Sequence, residues 1–326
     1  MTLLRRHFVC LVAGISALSI FSNAVNAQTY PTQTVRVIVP LPAGSATDFL
    51  VRQMAQKMSD DWGQPVVVEN HPGAGITRGA NMVAKAAPDG YTLLVSSASF
   101  AASAAIYAKL PYDPLKDFVP VGQIATAPFV LVAIPTLGAK SIKELVALAK
   151  EKSGAIKYGS AGVGTSSHFA AEQFKLAAGI NIVHVPYKGP AEALREMGPD
   201  HAQISWVPLL LALPYIKDGK LVALGVTTPQ RSSMLPDVPT ITEAGLPGYE
   251  YQDWWGVFAP AGTPAAVTEN IARQIARVVK LPDITAQLLS KGVEARPSAP
   301  GEFTRFVSTK VEAARQVAKS AGIPAQ

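Results

Sequence analysis

Two short stretches of small and hydroxyl-bearing residues carry donors that could bind an anion. Residues 42–48 read Pro-Ala-Gly-Ser-Ala-Thr-Asp, residues 161–167 read Ala-Gly-Val-Gly-Thr-Ser-Ser, and each stretch follows a β-branched or apolar run. Each pattern predicts a strand, a loop and then a helix, where a ligand can approach backbone N–H groups and the helix N-terminus favours negative charge. The repeat, about 120 residues apart, predicts two similar lobes that face each other. A ligand with a carboxylate at each end could bridge them.

The first loop contains the residues that end a strand and begin a helix. Pro40, Pro42 and Gly44 stop the strand, and Thr47 or Asp48 is expected to cap the helix. Neither loop contains Lys or Arg. A bound carboxylate would therefore be held by helix N-termini and by N–H and O–H donors.

The segments between the loops alternate between strand and helix patterns, which indicates an α/β protein with a parallel sheet. Ligands of such sheets bind beyond the carboxyl ends of the strands. A strand is predicted over residues 91–95, and Ser96, Ser97 and Ser99 follow it at such an end.

The chain is expected to leave the first lobe once and to return once. Lobe I is assigned to residues 28–127 and 253–326, and lobe II to residues 128–252. A strand over residues 129–134 would enter lobe II, and a strand over residues 254–259 would re-enter lobe I. Two crossings form a hinge, and hinged lobes close around ligands.

The N-terminal residues have the pattern of a secretory signal peptide. Arg5 and Arg6 precede an apolar run, and Val25-Asn26-Ala27 predicts cleavage after Ala27. The alternative is an uncleaved N-terminal anchor, but the run is short for a spanning helix. The only cysteine, Cys10, lies within this peptide, so the mature protein would have no disulfide. A periplasmic location is expected.

The composition of the mature chain argues against a nucleic-acid partner. The full chain has 29 basic and 23 acidic residues, and removal of Arg5 and Arg6 leaves 27 basic residues, an excess of only 4. These basic residues are scattered along the chain. The 299 residues left after cleavage are enough for two lobes with a core each. A monomer is expected.

Many motifs in the chain, in order, resemble the Bug-type substrate-binding proteins of tripartite tricarboxylate transporters. The matching segments cover essentially all of the mature chain: residues 30–31, 37–40, 42–44, 48, 63–70, 72–75, 88–94, 110–114, 183–189, 235–240 and 259–264. The resemblance implies a two-lobed periplasmic binding protein fold of type II, with the ligand cleft between the lobes. It also implies a non-enzymatic receptor that delivers a small organic carboxylate to a membrane permease, or presents it to a sensor protein.

The resemblance also implies which residues hold the ligand. In the family, one ligand carboxylate is held by the two loops, largely through backbone amides, small hydroxyls and waters. The corresponding residues here, with the serines and with a tyrosine that follows a lobe II strand, are Leu41, Ala43, Gly44, Ser45, Ala46, Thr47, Asp48, Ser96, Ser97, Ser99, Ala161, Gly162, Gly164, Thr165, Ser166, His168 and Tyr187. The family more often has a second glycine at Ser45, so the Ser45 hydroxyl is expected to replace or augment a water contact.

Other chemistries find less support in the residues. An exported serine hydrolase could use Ser160, Ser166 or Ser167 with His184 or His201, but no sequence spacing supports it. The histidines form no H-x-H or H-E-x-x-H pattern, and residues 162–167 lack the third glycine of a dinucleotide fingerprint. No metal and no cofactor are expected. For His168, a capping or packing role is an open alternative to ligand contact.

Overall fold

The structure, a computed structural model, describes residues 30–323. The expected signal peptide, its cleavage site and Cys10 lie outside the described residues. No helix in the described range is both long and apolar enough to cross a bilayer.

The described chain forms ten strands and ten α-helices. The strands are β1 (Val35–Val39), β2 (Val66–Asn70), β3 (Thr92–Ser97), β4 (Phe118–Ala133), β5 (Lys157–Ser160), β6 (Val183–Pro186), β7 (Ile204–Pro208), β8 (Val222–Val226), β9 (Gln252–Pro260) and β10 (Glu294–Ala295). The α-helices are α1 (Ala46–Trp62), α2 (Thr77–Ala84), α3 (Ser99–Ile106), α4 (Ile142–Glu151), α5 (Ser166–Ala178), α6 (Pro190–Arg195), α7 (Leu209–Lys217), α8 (Ala265–Val278), α9 (Pro282–Leu289) and α10 (Pro300–Ala321). Short 3₁₀ helices cover Ala74–Ile76 and Pro135–Leu137.

The strands form one sheet in the order β2-β1-β3-β9-β4-β7-β5-β6, and β8 and β10 also pair with β4. The outer strands are parallel: β1 runs parallel to β2 and β3, and β5 runs parallel to β6 and β7. The central strands β4 and β9 are antiparallel to each other and to their other neighbours. The expected parallel sheet is therefore correct for the two outer groups and wrong for the centre, because β9 runs antiparallel to both β3 and β4.

Strand β4 joins the two halves of the sheet. A strand was expected only over residues 129–134, but β4 has 16 residues. Nine residues between 118 and 128 pair with β9, residues 129–133 pair with β7, and residues 130–133 also pair with β8. Pro120 and Gly122 lie at a register shift of the β4–β9 ladder, where a strand tolerates proline and glycine. The ladder changes partners at Pro128–Phe129; the lobe boundaries assigned from the sequence stay a prediction.

Each half of the sheet has its own buried aromatic cluster. Phe100, Phe258 and Phe303 pack together under the half that contains β1–β3, and Phe174 packs on Trp206 in the other half. Helix α10 packs against α3, α5 and β4, so it contacts elements of both halves. The sheet and these helices hold the two predicted loops, which follow β1 and β5.

Candidate functional site

The first loop is organised around the carboxylate of Asp48. This carboxylate is buried and accepts hydrogen bonds from the Gly44 N–H at 2.9 Å, the Arg52 Nε at 3.0 Å and the Asn70 Nδ2 at 2.9 Å. Asn70 also donates to the Leu41 carbonyl at 3.1 Å. These bonds lower the pKa of Asp48, although burial opposes them. Its contacts indicate that Asp48 shapes the loop, whereas its expected contact with ligand stays a prediction.

Helix α1 begins two or three residues earlier than expected. The N-cap is Ser45, whose Oγ accepts the Asp48 N–H at 3.2 Å, so the expected cap at Thr47 or Asp48 is wrong. The Thr47 hydroxyl faces inward instead and accepts a hydrogen bond from the Trp255 Nε1 at 2.9 Å. The Ser45 hydroxyl therefore has a capping role in addition to any contact with ligand.

The second loop is held by hydrogen bonds within its own segment. Three of its N–H groups donate to side chains nearby: Ala161 to Ser167 Oγ at 2.9 Å, Gly162 to Ser160 Oγ at 3.1 Å, and Gly164 to His168 Nδ1 at 3.1 Å. The Thr165 hydroxyl donates to the Gly162 carbonyl at 2.7 Å. In this conformation these three N–H groups are therefore not free for a ligand.

The first N–H groups of the helices after both loops have no hydrogen-bond partner in the described part of the chain. They belong to Ala46 and Thr47 at the start of α1, and to Ser166 and Ser167 at the start of α5. An α-helix cannot satisfy these groups internally, and the helix dipole adds partial positive charge at the same end. Both loops thus offer N–H donors suited to an anion.

One strand brings the two loops to the same side of the sheet. Residues two apart on a strand point to the same face, and on β9 these are Asp253 and Trp255. Asp253 Oδ1 accepts from the Ser166 Oγ at 3.4 Å and from the Ala98 N–H at 3.3 Å, whereas Trp255 binds the first loop through Thr47. Both loops therefore contact one face of β9. Their contact points, Asp253 and Trp255, are about 7 Å apart along the strand.

Asp253 is partly buried, and its carboxyl lies between two elements that carry predicted ligand contacts. Burial raises its pKa to about 6, although the N–H groups of Trp254 and Ala98 and the Ser166 hydroxyl oppose the shift. Neither Asp253 nor the role of Trp255 was found from the sequence. The sequence pattern that could have indicated them is an acidic residue near the start of an apolar strand, Asp253, two positions before a tryptophan, Trp255.

The second loop also contacts α3. An added Cβ at Gly164 would stand 2.3 Å from Cδ1 of Ile106, the last residue of α3, and Gly164 has a φ of +77°. Only glycine allows this approach without a shift of one element. The loop after β5 is therefore packed closely against the half of the sheet that contains β3.

The remaining predicted residues divide between the two faces of the sheet. Ser97 donates to Ser99 at 3.1 Å and lies opposite Trp255 in the β3–β9 ladder. Ser96 is opposite Gly256, on the other face, and its buried hydroxyl has no partner among the described residues. Tyr187 donates its N–H to the Ser160 carbonyl at 3.0 Å, and its ring lies beside Gly159.

The exposure of the predicted residues differs widely. Ala43, Gly44 and Ala46 are exposed; Leu41, Ser45, Ser99, Ala161, Gly162, Gly164, Thr165 and Tyr187 are partly buried; Thr47, Asp48, Ser96, Ser97, Ser166 and His168 are buried.

His168 belongs to a stacked group of rings beside β5 and β6. Its ring lies 4.1 Å from the His184 ring, nearly parallel to it, and the Tyr158 ring also stacks on His184, at 4.8 Å. Burial, together with Lys175, lowers the pKa of His168 to about 4, and burial is also the main cause of a pKa of about 4 for His184. Both rings are neutral at pH 7, which suits the acceptor role of His168 Nδ1.

The structure brings together one Ser–His pair considered from the sequence. Ser160 Oγ lies 2.6 Å from His184 Nε2, but Ser160 is completely buried, so no substrate can reach its hydroxyl. Ser166 binds Asp253, and Ser167 accepts the Ala161 N–H. The described residues include no group of three His, Cys, Asp or Glu side chains that could hold a metal ion.

Comparisons with known proteins agree with one another. A family profile described as the tripartite tricarboxylate transporter family receptor, TctC, matches residues 50–323. Protein BugT of Bordetella pertussis (strain Tohama I) is 33% identical over 314 residues, which cover 95% of this chain and 94% of BugT. A solved structure of an R. palustris protein with adipate is 33% identical, with a TM-score of 0.76 over 91% of this chain and 100% of that one. MatC from Rhodopseudomonas palustris, solved with bound malate, is 31% identical, with a TM-score of 0.72 over 88% of this chain and 99% of that one.

Proposed function

Because this chain belongs to the family of tripartite tricarboxylate transporter receptors, we propose that it captures a small organic carboxylate between two lobes and delivers it to a tripartite membrane transporter. The observation that carries this proposal is the pair of strand-loop-helix turns whose free helix N-termini are tied to one face of β9. Adipate and malate in two solved relatives support a carboxylate as the ligand class.

The donors can supply the binding energy without an arginine in either loop. Micromolar affinity needs about 8 kcal/mol, and a hydrogen bond to a charged group contributes roughly 1.5–3 kcal/mol. Four free N–H groups would supply four such hydrogen bonds, and each of the two helix ends adds about 0.3–1 kcal/mol. Together they reach the free energy needed for micromolar binding after the cost of ordering the ligand. The ligand would be bound by backbone donors at two helix N-termini, without a charged side chain in either loop.

Closure of the lobes is the proposed mechanism. A carboxylate that contacts α1 and α5 together binds the closed arrangement more tightly than an open one, and this difference shifts the population. The closed form would be recognised by the permease, or by a sensor protein. We propose lobe boundaries at residues 127/128 and 252/253, where the chain crosses the hinge.

We further propose that the first 27 residues direct export to the periplasm, that the mature protein is a monomer, and that it has no enzymatic activity. The family and its solved members support a solute receptor, and the complete burial of Ser160 argues against this serine as the nucleophile of a hydrolase.

A thermal-shift screen tests the proposal. The protein is unfolded and refolded to remove bound ligand, and its melting temperature is measured with dicarboxylates, tricarboxylates, aromatic carboxylates, acidic amino acids and neutral sugars. A ligand at a hundred times its Kd stabilises the native state by about 2.7 kcal/mol, so a true ligand raises the melting temperature. A response to neutral sugars alone, or to no carboxylate, contradicts the proposal.

Two matched glycine variants localise the binding. Gly44 and Gly138 have φ values of +81° and +82°, and an added Cβ at either meets nothing within 4 Å. Gly44→Leu and Gly138→Leu therefore carry the same backbone strain, but only the first places bulk in the proposed cleft. We expect Gly44→Leu to lose the ligand-induced shift and Gly138→Leu to keep it. Equal responses would exclude the first loop from the site.

A further inference from the structure

A polar cavity lies on the face of β9 opposite to the face that contacts the two loops. It has a volume of about 120 Å³ and lies between β4, β9 and α10; we call it the hinge cavity. Trp254 lines it, because Trp254 points away from the face that carries Asp253 and Trp255. Trp254 is almost fully buried and packs edge-on against Phe306 of α10. The hinge cavity is therefore separate from the proposed carboxylate cleft.

Two donors of the hinge cavity have no acceptor within the described residues. Gln123 is 4% exposed, and its Nε2 makes no hydrogen bond. Lys310 lies partly buried beside the Phe306 ring, 5.3 Å from its centroid, and forms no ion pair. Burial lowers the pKa of Lys310, and the charge of Glu250 opposes this effect. Buried donors without partners are costly, so an occupant with acceptor atoms would stabilise them.

The other charged groups of the hinge cavity lie at its rim. Arg296, Glu250 and Glu302 line the cavity and are exposed. Their charged ends can remain in water, whereas Gln123 and the Lys310 stem cannot. Thr126, Gln252 and Ser298 complete the polar lining, and Gln123 Nε2 is the buried donor of this lining that lacks a partner among the described residues.

The hinge cavity adjoins elements from both halves of the sheet. A neighbouring cavity of about 90 Å³ shares Glu250, Gln252, Trp254 and Lys310 with it and extends to α3 and α5. Gln252 begins β9, where the chain returns from lobe II. An occupant near Lys310 would thus contact residues at the crossing between the lobes.

From these observations, we propose that the hinge cavity is a second ligand site, which binds a small oxyanion through Lys310 Nζ and Gln123 Nε2. Monocarboxylates and inorganic phosphate share the required chemistry, since each presents several acceptor oxygens and a negative charge to these donors. The site goes beyond the proposed transport function and does not require a ligand in the cleft.

Fluorine NMR of the 5-fluorotryptophan-labelled protein tests this site directly. The chain has four tryptophans, and the Trp254 signal is assigned by its loss in Trp254→Phe. Sodium acetate and sodium phosphate are titrated separately at constant ionic strength, with sodium chloride as the compensating salt. We expect a saturable shift of the Trp254 signal, while Trp206, fully buried in the other half, stays unchanged.

The two sites have separate reporters, so their failures are distinguishable. Trp255 reports on the cleft through its bond to Thr47. If the Trp254 signal shifts with acetate and not with phosphate, the occupant is a carboxylate. If it shifts with phosphate and not with acetate, the occupant is phosphate. A shift confined to Trp255 places the anions in the cleft alone and overturns the hinge site, as does no shift of Trp254 with either probe.

Charge variants inside and outside the hinge cavity test the two donors. Lys310→Met keeps the apolar stem beside Phe306 and removes the charge, and we expect it to raise the half-saturating concentration about ten-fold or more. Gln123→Glu, which places a carboxylate where a donor stood, should abolish the shift. Lys319→Met removes an exposed charge from the same helix and should leave the titration unchanged. An unchanged titration in Lys310→Met would overturn the proposal.

Discussion

At the level of single residues, the hydrogen bond between Trp255 and Thr47 fixes the start of α1. Both side chains are nearly fully buried, and the indole N–H has this one acceptor. A buried donor that loses its acceptor costs the free energy of its desolvation, about 1–3 kcal/mol. The position of the first loop therefore depends on one hydroxyl oxygen.

We expect Thr47→Val to lower the free energy of unfolding by about 1–3 kcal/mol, because valine has the shape of threonine without the acceptor. Urea unfolding measures this change. Thr268→Val is the matched control: Thr268 is equally buried, and its hydroxyl donates to the carbonyl of Ala265 in its own helix. An effect of Thr47→Val no larger than that of the control would show that the indole bond contributes nothing.

At the level of elements, the second loop and α3 meet at a single close contact. Gly164 allows the approach because it has no side chain, and Ile106 supplies the methyl group on the other side. The contact couples the loop after β5 to the helix after β3. Its strength is measurable by a double-mutant cycle.

We expect Gly164→Ala to destabilise the protein through both its positive φ, about 1–2 kcal/mol, and a clash of about 1–3 kcal/mol. Ile106→Val removes Cδ1 and should cost about 0.5–1.5 kcal/mol alone. In the double variant the clash disappears, so the total cost should be at least about 1 kcal/mol below the sum.

The control cycle uses Gly44→Ala with Ile106→Val. Gly44 has a similar φ but open space around an added Cβ, so its cycle should be additive. Additive free energies of unfolding in the Gly164 cycle as well would contradict the close contact.

At the level of the whole molecule, Asp253 joins two elements that follow strands in different halves of the sheet. Its carboxyl accepts from the Ala98 N–H after β3 and from the Ser166 hydroxyl at the start of α5. Its pKa of about 6, above the ordinary 3.8, means that the native state binds a proton more tightly than the unfolded state. The stability linked to Asp253 is therefore complete below the unfolded pKa and is lost as the pH rises through about 6.

We expect the free energy of unfolding of Asp253→Asn, relative to the wild type, to rise by roughly 2–3 kcal/mol between about pH 4 and pH 7.5. Asparagine cannot ionise and keeps an acceptor oxygen for the same donors. Urea unfolding of both proteins over this range measures the difference, in which the contributions of His168 and His184 cancel. Asp200→Asn, at an exposed carboxyl, is the control for the loss of one acidic group. Parallel curves for Asp253→Asn and the wild type would contradict a raised pKa.

The fold and the family were predictable from the sequence. The resemblance to Bug-type receptors and the two-lobed periplasmic binding protein fold are confirmed by the family profile and by solved relatives of similar length. Both strand-loop-helix turns are also confirmed, because strand-stopping prolines and glycines and helix caps act between residues close in sequence.

The tertiary structure alone decided how these parts meet. The sequence did not indicate that β4 continues through Pro120, because only the ladder with β9 provides a register shift that accommodates it. Thr47 and Trp255 are 208 residues apart, and Ala98 and Asp253 are 155 apart, so no local pattern pairs them. Local residue types determined what each loop could bind, whereas the packing and register of β9 determined that both loops lie on one face.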